Sequence, residues 1–226
     1  MIFSLRRNAL VRIVPFAVFM LLLAVRGMAP TGEGWGFDTR WLYGLTTVVV
    51  GGLLLWWHRE FGELARQNLP SLREAALAAA VGLVVFALWI TLDAPALRLG
   101  HEAAVFRPVD AQGRVDWSLV AVRWLGAALL VPVMEELFWR SFLMRWMEHA
   151  QFEAVDPRHV GLRAAALSTF VFMLAHTLWL AAILAGGAYA WLYIRSGKLW
   201  LPVIAHAVTN GTLGAWVVAT HNWQFW

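Results

Sequence analysis

The chain has 226 residues, 61% of them hydrophobic and only 14% charged, with 15 tryptophans and no cysteine. Soluble domains are nearer half apolar and a quarter charged, so this is the composition of an integral membrane protein; the lack of cysteine excludes disulfides, thiolate nucleophiles and cysteine-held metals. The formal net charge of +4 belongs to membrane-flanking loops, where basic residues collect, and gives no reason to expect a nucleic-acid partner.

Apolar runs of about 20 residues are the signature of transmembrane helices. The first, near 9–28, follows the basic start of MIFSLRRNALVRIVPFAVFMLLLAVRG. No small-x-small cleavage pattern closes it and further apolar runs follow, so it reads as a first transmembrane helix rather than a signal peptide. The second, 41–57, is short for a crossing. Next come 72–92 and then a loop over 93–117 with mixed charge, two prolines and two glycines. The remaining runs are 118–146, 163–181, 183–195 and 199–219; the shortness of 183–195 leaves a helical hairpin around AGGA (185–188) open. The expected fold is an all-α, polytopic transmembrane helical bundle of about seven to eight helices. It forms a single integral membrane domain over 1–226, with no internal repeat and with its chemistry in 118–219. Lys and Arg are more frequent in the segments that are cytoplasmic when the N-terminus is inside, which sets the N-terminus in the cytoplasm and, with an odd helix count, the C-terminus outside. Trp56, Trp57, Trp117, Trp200 and Trp223 fall near predicted helix ends, as interfacial anchors do.

Three runs carry polar residues away from their ends. LLVPVMEELFWRSFLMRW (129–146) holds Glu135, Glu136 and Arg140; FVFMLAHTLW holds His176; LPVIAHAVTN holds His206 and Asn210. A charge at the bilayer centre costs about 3 kcal/mol on insertion scales, so such groups face the bundle interior or water and are functional candidates. At about 1.5 Å per residue they lie about 10–20 Å in from the same side, which is economically explained by one converging site. Glu136 and Arg140, four apart, share a helix face and can pair. Glu135 points about 100° away and is expected to face the site without a local partner. His206 and Asn210 repeat the four-residue spacing, as do Phe172 and His176, with the Phe172 ring able to pack beside the imidazole. Pro132 and Pro202 are expected to kink their helices near these groups.

A glutamate and a histidine sharing one water can make it a nucleophile, while a second histidine and an asparagine amide can donate to a developing oxyanion. Together they give amide hydrolysis without a covalent intermediate. A zinc version with Glu135, His176 and His206 as ligands is equally compatible with the spacing, since His₂Glu with an open position is a catalytic set. Other hydrolase patterns fail. HEAAV (101–105) has Val105 where H-E-x-x-H needs its second histidine; there is no G-x-S-x-G; GEGWG (32–36) opens no phosphate-binding helix. His149, His159 and His221 read as solvated surface residues.

EELFWR fits E-E-x-x-x-R, FMLAH fits F-x-x-x-H and HAVTN fits H-x-x-x-N. In this order, each inside a hydrophobic run, they resemble the CAAX prenyl endopeptidase and bacteriocin-processing (CPBP, or Abi) family of intramembrane proteases, over about 118–219. RIVPFAVFM and DTRWLYGL in the N-terminal half are similar to a small bacterial subgroup found alongside exosortase-type sorting systems. The resemblance implies about eight helices around a water-filled cavity, in a multi-pass protein of a bacterial inner membrane acting on a membrane-associated peptide or protein. It implies that Glu135 and His176 activate water, that His206 and Asn210 form the oxyanion site, and that Glu136 and Arg140 support them. Family members have been treated both as metalloproteases and as metal-free glutamate proteases. Two readings compete with the enzyme: a non-catalytic immunity or scaffold protein of the same fold, and a proton-coupled transporter, since buried Glu and His also relay protons. Transporters often show paired halves, and this sequence has none.

Overall fold

A computed structural model describes residues 6–29, 35–100 and 105–226. Positions 101–104 of HEAAV and 32–34 of GEGWG therefore lie outside the described residues. Within those described, the protein is all-helical, with isolated bridges and no strand. Seven helices follow one another: α1 Arg7–Met28, α2 Leu42–Trp56, α3 Leu72–Thr91, α4 Trp117–Glu148, α5 Leu162–Leu174, α6 Trp179–Ser196 and α7 Trp200–Thr220. Of these, α1, α3, α4 and α7 are long and apolar enough to cross a membrane.

The helices alternate in direction. Arg26 near the end of α1, Trp89 near the end of α3, His176 just past α5, Phe225 beyond α7 and Arg123 in the first half of α4 all line cavities at one end of the bundle. So α1, α3, α5 and α7 run toward that end, and α2, α4 and α6 run back. The tightest helix pair is α3 with α7: a Cβ on Gly82 would stand 2.3 Å from the Ala205 carbonyl oxygen, so only glycine allows the approach. Gly186 lets α6 close on α5, where an added Cβ would meet Thr169 and Phe172 at 3.0 and 3.1 Å.

At the opposite end a polar clamp ties α1 and α4 to the α2–α3 connection. Glu63 takes Arg12 Nη2 and Arg145 Nη2, each at 2.6 Å, and the Ser141 hydroxyl, also at 2.6 Å. Arg12 Nε donates in turn to Ser141 Oγ at 2.8 Å.

The boundary between the fifth and sixth runs lies elsewhere than hydropathy implies. The 163–181 run breaks at 175–178, and AGGA (185–188) lies inside α6 rather than at a hairpin. The break has a local cause. His176 Nδ1 donates to the Phe172 carbonyl at 2.8 Å, so the imidazole caps the helix C-terminus, and Leu99 N–H donates to the Thr177 carbonyl at 2.7 Å. Both bonds remove carbonyls from a continuing helix. Pro202 is a second correction. It sits in the first turn of α7, where its missing N–H has no intrahelical partner to lose, so it does not kink the helix. Trp223 is only 9% exposed and packs inside the protein, unlike the exposed Trp56 and Trp117, so it is no interfacial anchor.

Candidate active site

Helix α4 departs from α-helical register twice. π-helical segments at Gly126–Leu130 and Leu137–Met144 flank the α-helical turn Val131–Glu136; such insertions often mark functional positions. The first displaces a carbonyl. Val131 N–H bonds to the Gly126 carbonyl, a five-residue step, and the next such bond would run from residue 132 to Ala127. Pro132 has no N–H to give. The Ala127 carbonyl instead accepts from Asn210 Nδ2 at 2.9 Å, tying α4 to α7 at the site.

Glu135 and Glu136 are 8% and 0% exposed, and they have different partners. Glu136 Oε1 pairs with Arg140 Nη1 at 3.1 Å and with His206 Nδ1 at 2.8 Å, while its Oε2 is buried without a partner. Arg140 also donates to the Gly186 carbonyl at 3.2 Å, with its guanidinium 4.6 Å from the Phe172 ring centroid. Glu135 Oε2 accepts from Trp139 Nε1 at 3.3 Å. The expectation that Glu135 has no local partner is thus corrected: the indole four residues on reaches it. Glu136 does more than pair with Arg140, because it also grips an imidazole from α7.

The two histidines are held differently. In each the acceptor at Nδ1 is an oxygen, so Nδ1 carries the proton. For His176 that oxygen is the Phe172 carbonyl, and its ring lies 4.2 Å from the Phe172 ring and 5.7 Å from Trp89. For His206 it is the Glu136 carboxylate. His206 also stacks on Tyr189 at 5.1 Å, and Tyr189 donates to Thr209 Oγ1, which donates to the Gly82 carbonyl. The carbonyl at 82 therefore serves the site, while the missing side chain serves the packing.

Glu135, Phe172, His176, His206 and Asn210 line one cavity of about 210 Å³. Glu136 and Arg140 stand behind its wall. Residues that sequence reasoning passed over also line it, among them Trp89, Tyr189, Thr209 and Arg123. Trp139 was within reach of the same four-residue spacing that pairs Glu136 with Arg140. Tyr189 had no such signal, since one aromatic among many in apolar runs is not distinctive. His149, His159 and His221 are exposed. A metal fits this arrangement poorly: among the described residues no three His, Asp or Glu groups come together as ligands for one ion, and Glu135, His176 and His206 share a cavity without converging on a point.

Residues 117–212 match a family model described as Rce1-like, type II CAAX prenyl endopeptidase. The match takes in all three motifs and covers somewhat under half of the sequence. Searches of curated proteins and of solved structures found no match.

Proposed function

We propose, from the type II CAAX prenyl endopeptidase similarity of residues 117–212, that the protein is an intramembrane endopeptidase. It hydrolyses a peptide bond of a membrane-associated or lipid-anchored substrate, as a multi-pass protein of a bacterial inner membrane with its N-terminus in the cytoplasm. The observation that carries this reading is one cavity lined by a buried carboxylate, Glu135, and by two imidazoles whose Nδ1 atoms meet different acceptors, a neutral carbonyl for His176 and a carboxylate for His206.

His176 donates from Nδ1 to a neutral carbonyl, which leaves the Nε2 lone pair to accept a proton. Water held between Glu135 and His176 adds its oxygen to the scissile carbonyl carbon, and its proton passes to one of these two groups. Charge moves to the carbonyl oxygen. With its Nδ1–H committed to Glu136, His206 turns Nε2 to that oxygen and donates there when the ring takes up a second proton. Asn210 donates its second amide N–H, the first being used on Ala127. The C–N bond then breaks and the stored proton goes to the leaving amine.

Replacing Glu135 by Gln removes the base and keeps the shape. Cleavage of a reporter peptide in proteoliposomes is expected to fall by about 10²–10⁴-fold, with the thermal midpoint near that of the wild type. Wild-type cleavage by the Glu135→Gln protein would sink the reading and return weight to a non-catalytic role.

A further inference from the structure

A second cavity, of about 480 Å³, lies at the bundle end toward which α1, α3, α5 and α7 run. It shares Trp89, Arg123, His176, Phe225 and Trp226 with the smaller cavity, so the two are neighbours with these side chains between them. Among the described residues, four arginines line this vestibule, and one acid, Asp93. The acid is already committed: Asp93 pairs with Arg98 at 2.7 Å and accepts from Gln224 Nε2 at 3.0 Å.

Arg26, Arg107 and Arg123 have no carboxylate partner among the described residues. Arg26 and Arg123 converge on one ring, their guanidinium carbons 5.5 and 4.3 Å from the Tyr43 centroid. Arg123 Nε is buried with no acceptor. Two like charges around one aromatic ring, one with a dry, unused donor, is a costly arrangement, because a buried donor without an acceptor loses its hydration unrepaid and the ring offsets only part of that. An incoming anion would relieve both costs. A guanidinium fork suits a carboxylate or a phosphate. Because Arg123 lines both cavities, an anion bound to it sits on the path of whatever occupies the catalytic one. That favours a group belonging to the peptide over a lipid phosphate, whose acyl tails would have to leave the vestibule.

We propose that this vestibule is a substrate subsite, in which Arg123 and Arg26 hold a carboxylate carried by the peptide within a few residues of the scissile bond. The proposal deepens the protease reading and rests on it for the word substrate. Arg123 and Arg26 are specificity determinants in it, not catalytic residues.

The test is binding of short fluorescent peptides to the Glu135→Gln protein, which removes turnover. Each peptide is made in two forms, with one carboxylate or with the matching carboxamide. The carboxylate form is expected to bind about tenfold tighter or more. The preference should fall to about parity when Arg26→Gln and Arg123→Gln are combined, and be kept only in part by Arg123→Lys, which keeps the charge but loses the fork. Gel filtration and the thermal midpoint check that each variant is folded. Equal binding of the two forms, no binding of either, or a preference that survives the double substitution overturns the proposal. A parallel arm compares phosphatidylglycerol with phosphatidylcholine vesicles. If the double substitution abolishes only a phosphatidylglycerol dependence, the site belongs to lipid phosphate and the peptide subsite is lost. Failure of the protease reading looks different: the active protein cleaves neither peptide while the carboxylate preference and its loss in the variant remain.

Discussion

Trp139 stands to Glu135 as Arg140 stands to Glu136: each lies four residues on and each reaches back with an N–H. The two bonds do different work. The guanidinium neutralises a carboxylate that also grips His206. The indole brings no charge to Glu135 but fixes the direction of one of its oxygens. Trp139→Phe keeps the ring and deletes the donor. It is expected to lower kcat by about three- to tenfold, the size of one neutral-donor hydrogen bond, with KM unchanged. A drop in the thermal midpoint with kcat intact would instead mean that the indole only packs. At this scale the residues that meet in the candidate site's cavity were largely legible, because charge and imidazole are rare in apolar runs and stand out there. What stayed hidden was partnership across helices. Spacing along α4 pairs Glu136 with Arg140, but the bond to His206 depends on how α7 packs, and no local pattern encodes that.

At the scale of elements, hydropathy locates apolar runs and says little about where the backbone turns inside one. All seven runs are represented by helices, yet the α5–α6 turn sits inside a continuous apolar stretch and is made by an imidazole cap and a loop contact. The clamp at Glu63 was equally hidden, since its members come from three segments distant in sequence. Burial alone would push the Glu63 carboxyl up, but Arg12, Arg145 and the Ser141 hydroxyl outweigh it and hold it below the ordinary glutamate range. With the folded value below the unfolded one, its stabilisation is fully present above about pH 4–5 and is lost as pH falls through the folded value. Glu63→Gln should therefore destabilise the protein at neutral pH, by about 3 kcal/mol if the clamp behaves as a buried ion pair. It should also flatten the loss of thermal stability between pH 7 and 3. Identical acid profiles for variant and wild type would remove Glu63 as the cause.

For the whole molecule, the arginines on the face opposite the N-terminus blunt the charge asymmetry along the sequence. The structure gives each a local setting: Arg40 pairs with Asp38, Arg98 with Asp93 and Arg114 with Asp110, while Arg26, Arg107 and Arg123 line the vestibule. Pairing is as common on the other side, where Arg7, Arg12, Arg145, Arg158 and Lys198 also meet carboxylates, so the proposed cytoplasmic N-terminus rests on the count of basic residues along the sequence. The absence of cysteine makes this simple to check. Gln112→Cys, in the α3–α4 connection, and Gln151→Cys, after α4, both replace exposed residues. An impermeant thiol reagent applied to intact cells should label the first and spare the second. Labelling of both would mean that α4 does not cross, and the reverse pattern would invert the molecule.

The 13 residues of α5 span about 20 Å, against a hydrocarbon core of about 30 Å. Hydrophobic mismatch of this size is met by a dimple in the lipid or by protein standing in for it, and here the backbone around Arg98 and Leu99 packs on the α5–α6 turn. Irregular backbone at that depth is tolerated because it borders a cavity rather than lipid. On the proposed placement of α5 in the bilayer, activity is expected to depend on lipid chain length, which reconstitution in bilayers of different thickness would measure.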